Sequence, residues 1–77
     1  MNVLKISEVV RRLRKLPPGE IVLVFPPSEL ARAREIGADG HIVFVVPQPV
    51  WDRCPAVKPG NRVLITDCQH LLTLFKE

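Results

Sequence analysis

The sequence predicts an α/β domain, a small three-stranded parallel sheet with helices packed on it in the order α-β-α-β-β-α. Two observations carry this expectation. Residues 21–25, 41–46 and 62–66 are short, almost uninterrupted apolar runs rich in Val and Ile. They lack the alternation of a half-exposed strand and read as strands covered on both faces, the usual condition of a parallel sheet. Around them lie segments with helical spacing and with residues that start and stop helices.

The elements follow in order. Ile6, Val9, Val10, Leu13 and Leu16 recur at helical spacing, with Arg11, Arg12 and Lys15 turned away from them and Arg14 at the flank. Ser7 is the expected N-cap, and Pro17-Pro18-Gly19 stops the helix. Residues 2–5 fit either an extra helical turn or a short edge strand. After the first strand, Pro26-Pro27-Ser28-Glu29 offers a turn with Ser28 as N-cap, and the helix through Ile36 is expected to end on Gly37. Ala38-Asp39-Gly40 leads straight into the second strand, which gives this stretch the length and order of a βαβ unit.

Residues 47–61 hold four prolines and no helical period, so a long irregular loop is expected. Lys58-Pro59-Gly60-Asn61 matches a type II turn. The third strand follows, and Asp67 can cap a final helix carrying Leu71, Leu72 and Phe75. A second pairing stays open, in which residues 62–66 run antiparallel to a neighbour, as in a hairpin with residues near Ala56 and Val57.

A chain of 77 residues makes one domain. At this size about 60% of the unfolded surface is buried on folding. A hydrophobic fraction of 47% excludes disorder as the main state, while an aromatic content of 5% leaves the packing to aliphatic side chains. The longest apolar run falls far short of the ~18 residues of a membrane span, and no signal-peptide pattern opens the chain; a soluble, cytoplasmic protein without a membrane partner is expected. Cys54 and Cys68 are too few for a disulfide scaffold. Eight prolines and abundant arginine are compatible with a thermophilic source. The net charge of +3 is unevenly placed: residues 1–16 carry a balance of +4 and the remainder −1.

In a parallel sheet, ligands bind beyond the carboxyl ends of the strands. Those ends carry Ser28, Gln48, Thr66, Asp67, Cys68 and His70, the candidate ligand site. Cys68 follows the Asp67 cap, where the helix dipole favours a thiolate, and His70 lies two positions on. Residues two apart on a helix do not face each other, however, and the Asp67 charge opposes the dipole. Cys68 also shares a side with Leu71, Leu72 and Phe75, which suits a small buried hydrophobe. Cys54, Cys68 and His70, with Asp52 or His41, have zinc-ligand chemistry, but their spacing lacks the paired knuckles of structural zinc sites, so no metal is assigned. Neither the P-loop nor the dinucleotide-binding glycine pattern occurs, and no cofactor is expected. Helix amino termini at Ser28 and Asp67 would attract an anion, which the Asp67 carboxylate would repel.

Arg11, Arg12, Arg14 and Lys15 are the candidate nucleic-acid residues, although no aromatic side chain is interleaved with them. Trp51, the single tryptophan, stands with Asp52 and Arg53 in the proline-stiffened loop and is the candidate partner contact; it would serve equally as a plug beneath that loop.

Residues 58–67, KPGNRVLITD, resemble the strand and acidic turn of phosphoribosyltransferases, but lack the following acidic partner and the Thr-Gly phosphate loop, so that activity is not carried over. Residues 6–24, ISEVVRRLRKLPPGEIVLV, resemble the start of many short uncharacterised bacteriophage and prophage proteins. That resemblance implies a viral or mobile-element origin and no particular activity.

Three functions follow as expectations. The first is a small non-enzymatic protein-interaction module, in a viral setting a modulator of a host protein, contacting its partner through Trp51 and its loop. The second is a nucleic-acid binder using the basic amino-terminal helix. The third is a small-ligand binder or enzyme using Asp67, Cys68 and His70. A three-stranded sheet with exposed edges also predicts a homodimer.

Overall fold

The computed structural model describes residues 2–55, 60 and 62–75 and shows an α/β domain built on a three-stranded sheet. Its elements are α1 (Ile6–Arg14), β1 (Ile21–Phe25), a 3-10 turn (Pro27–Glu29), α2 (Leu30–Ala38), β2 (Val43–Val45), α3 (Gln48–Trp51), β3 (Leu64–Asp67) and α4 (Cys68–Phe75).

The strands lie in the order β2-β1-β3. β1 and β2 are parallel, with Val24 beside Phe44, and α2 makes the crossover between them. β3 runs antiparallel to β1, pairing Ile21 with Asp67 and Val24 with Leu64. The sheet is therefore mixed, and the expected all-parallel arrangement holds for one pair only. An uninterrupted apolar run reports coverage but not direction, and nothing else in residues 62–66 reports it either. The proposed hairpin partners Ala56 and Val57 lie outside the described residues. So does the turn at Lys58, Pro59 and Asn61, apart from Gly60, whose φ of +90° fits its place in type II geometry.

Period-two alternation along β1 divides the core between two faces. Val22 and Val24 point to one side, where Phe44, Val46, Val9 and Leu13 of α1, Val50 of α3, and Cys68, Leu71 and Phe75 of α4 bury around them. Leu23 and Phe25 point to the other, with Val43, Val45 and Ala33 of α2. Among the described residues, one face thus has three helices over it and the other one.

Local chemistry corrects several boundaries. Ser7 lies inside α1 and does not cap it; Lys5 holds the N-cap position with extended geometry and no side-chain bond. Residues 2–5 resolve as an extended segment against the β2 edge, where the Leu4 N–H donates to the Val45 carbonyl at 2.8 Å. Glu20 N–H donates to the Pro17 carbonyl at 3.3 Å, and Gly19 takes φ +85°, so Pro17-Pro18-Gly19-Glu20 folds as the tight turn that feeds β1. Ser28 sits in the 3-10 turn rather than capping α2, because Pro27 starts that turn one residue earlier. α2 runs through Gly37 to Ala38, and the left-handed residue after it is Gly40 at φ +97°. Within the expected irregular loop, residues 48–51 form α3. Its prolines occupy the N-cap and first turn, where a missing N–H costs nothing, so they begin a helix instead of preventing one.

Candidate functional site

The antiparallel course of β3 divides the candidate ligand residues between opposite ends of the sheet. Ser28 and Gln48 follow the carboxyl ends of β1 and β2. Asp67, Cys68 and His70 lie beside the amino end of β1, since Asp67 pairs with Ile21, while Thr66 sits in the strand opposite Val22. The six residues therefore form no single site.

At the Asp67 end the carboxylate and the Cys68 thiol have structural roles. Asp67 Oδ1 accepts the His70 backbone N–H at 2.7 Å, the N-cap bond expected from sequence. The Cys68 N–H donates to the Glu20 carbonyl at 2.7 Å, extending the β1–β3 ladder by one residue. Cys68 is fully buried and its Sγ donates to the Pro17 carbonyl at 3.2 Å, which ties α4 to the turn after α1. The His70 side chain is exposed, so the buried thiol and the imidazole make no nucleophile–base pair. Cys54 is also a free thiol; its Sγ lies 3.7 Å from the Val50 carbonyl, and burial pushes its pKa up to about 11. Among the described residues, no group of three or more His, Cys, Asp and Glu side chains is arranged to hold a metal ion.

Trp51 packs against the main core cluster and is half-buried. Asp52 accepts a hydrogen bond from Gln48 Nε2 at 2.9 Å, and the Arg53 N–H closes α3 on the Val50 carbonyl at 3.0 Å. The indole thus serves partly as the plug beneath the loop.

The open surface lies elsewhere. Ile65 of β3 is 65% exposed and Ile21 of β1 56%. With Leu23, Ile42, Glu20, Gly40 and His41 they line a shallow groove of about 410 Å³. Ile21, Leu23 and Ile65 share the sheet face that, among the described residues, α2 alone covers, and α2 packs over β2. Leu23 turns its N–H to the Ile42 carbonyl on the β2 side at 2.9 Å, so its pairing with Ile65 is the type without ladder bonds. The Ile65 N–H and carbonyl consequently point away from β1, toward the sheet edge. Sequence reasoning missed this surface, because an apolar residue in an apolar run reads as core.

A second surface is the outer side of α1. Ser7, Val10, Arg11, Arg14 and Lys15 line a groove of about 550 Å³, whereas Arg12 faces a different one with Glu8, Asn2, Val3, Leu4 and Val43. This corrects the expected basic face: Arg14 belongs to its centre and Arg12 to its flank. At ~100° per residue, positions 7, 11 and 14 fall within about 60° of one another, and position 15 lies beside them, between 11 and 12.

No protein-family model, curated protein or solved structure matches this chain. Among the described residues, no helix is long and apolar enough to cross a membrane.

Proposed function

We propose that the chain is a small non-enzymatic protein-interaction module whose contact surface is the open β3 edge with the apolar sheet face beside it, and that its first partner is a second copy of itself. The observation that supports this reading is the exposure of Ile65 and Ile21, 65% and 56%, on a sheet face one helix only partly covers. An edge strand with outward N–H and C=O groups pairs readily with another strand, and burying the isoleucines adds a hydrophobic gain.

The strand is complementary to itself. Antiparallel pairing of two β3 strands about Ile65 sets Ile65 against Ile65 and Val63 against Asp67 of the second copy. Arg62 stays paired with Glu29 of its own chain at 2.9 Å, so the pairing rests on the isoleucines and the outward backbone groups. The surface expected at Trp51 moves to the sheet because the indole is committed in part to the core.

Light scattering across a concentration series tests the proposal on the unmodified chain and on Ile65→Lys. The expected result is a dimer mass that the substitution converts to a monomer, with the circular dichroism unchanged because Ile65 is mostly solvated. A monomer mass that persists at high concentration in the unmodified chain overturns the self-pairing.

A further inference from the structure

From the geometry of α1 we infer that the groove lined by Ser7, Val10, Arg11, Arg14 and Lys15 is a binding surface for the phosphate backbone of nucleic acid, independent of the sheet edge. Arg11, Arg14 and Lys15 are exposed and converge on one concavity of about 550 Å³. Their side chains have no acidic or hydrogen-bonding partner among the described residues, and the ion pair of Arg62 with Glu29 lies elsewhere. From Ser7 to Lys15 the groove follows about 12 Å of helix, at ~1.5 Å per residue, which is longer than a single phosphate needs.

The other anionic partners fit less well. A membrane-surface helix must insert its apolar face, but Val9 and Leu13 are wholly buried in the core and only Val10 remains in the groove. An acidic peptide would be favoured by apolar contacts flanking the bases, and Val10 alone supplies them. A phosphate backbone requires only spaced cations and a hydroxyl donor, the groups present here. No aromatic residue lines the groove to stack a base, so binding should be independent of sequence.

The experiment is fluorescence anisotropy with a short labelled DNA duplex of mixed sequence and its single strand, over a range of salt. Three phosphate contacts give a slope of log K against log salt of about −2.7 for the duplex and about −2 for the single strand, a loss of about 40-fold in duplex affinity between ~50 and ~200 mM salt. Arg11→Gln, Arg14→Gln and Lys15→Gln together should weaken binding at least about tenfold at low salt and flatten the slope by about 1 per base, whereas Arg12→Gln should leave the slope unchanged. If the triple variant does not fold, the single variants Arg11→Gln and Arg14→Gln carry the same test at about one slope unit each. Absence of binding at low salt, or an equal effect from Arg12→Gln, overturns the assignment. Polyglutamate of matched charge is the competitor: displacement at the same concentration as unlabelled duplex overturns a nucleic-acid partner, and displacement only at a large excess supports it.

Discussion

At the scale of single residues, burial decides what the chemically distinctive side chains do. Trp51 is half-buried against the main cluster. Trp51→Ala should therefore cost about 2–3 kcal/mol, below the ~3–5 kcal/mol of a wholly buried aromatic, and a melting comparison reads this directly. A change under about 0.5 kcal/mol would return the indole to the contact-loop role. The two thiols differ more sharply. Cys54 is held near pKa 11 by burial, against an ordinary 9.0, so its thiolate is scarce at neutral pH. Its raised folded pKa favours the folded state below about pH 9, and that contribution is lost as pH rises from 9.0 to about 11, where the unfolded thiol ionises first. Cys54 should alkylate slowly near neutrality and faster by about tenfold per pH unit up to its pKa. Cys68, with no exposed surface, should alkylate only on unfolding. Mass spectrometry of timed alkylation reads both rates, and rapid modification of Cys68 in the folded chain would revive a catalytic role for it.

At the scale of elements, the sequence carried type and order better than direction and partnership. Helical spacing identified α1, and the Asp67 N-cap appears as read, with its 2.7 Å bond to the His70 N–H. β1 matched to the residue. What escaped was whatever depends on the neighbour an element finds. Residues 62–66 looked doubly covered, yet β3 is an edge strand whose Ile65 is mostly solvated. Hydrophobicity reports preference for burial, and a small sheet with few helices cannot satisfy every preference. Once β3 turned antiparallel, the residues expected to meet at one end of a parallel sheet were distributed to both. α3 escaped for a different reason, since prolines suggest a loop when counted, but Pro47 and Pro49 stand at the cap and first turn, where they start a helix. The basic helix was visible in composition; which bases share a groove followed only from the rotation fixed by the buried Val9 and Leu13.

At the scale of the whole molecule, the imbalance between the two sheet faces makes the self-association argument thermodynamic. Among the described residues, one face gathers eleven buried residues from β1, β2, α1, α3, α4 and the segments beside them, and the other gathers four from β1, β2 and α2. Stability should therefore reside mainly in the larger cluster, and the smaller face should gain from whatever covers Ile21, Leu23 and Ile65. If a second copy supplies that cover and binds only the folded chain, mass action makes the melting temperature rise with protein concentration. Ile65→Lys should flatten this dependence while leaving the melting temperature at low concentration nearly unchanged, because the side chain it replaces is already 65% exposed in the single chain. Calorimetric scans of both proteins over a hundredfold concentration range, about 2.7 kcal/mol in the mass-action term, provide the comparison. A melting temperature independent of concentration in the unmodified chain would mean that the thin face is stable uncovered. Parallel loss of stability in Ile65→Lys at every concentration would mean that Ile65 supports its own chain and not a second one.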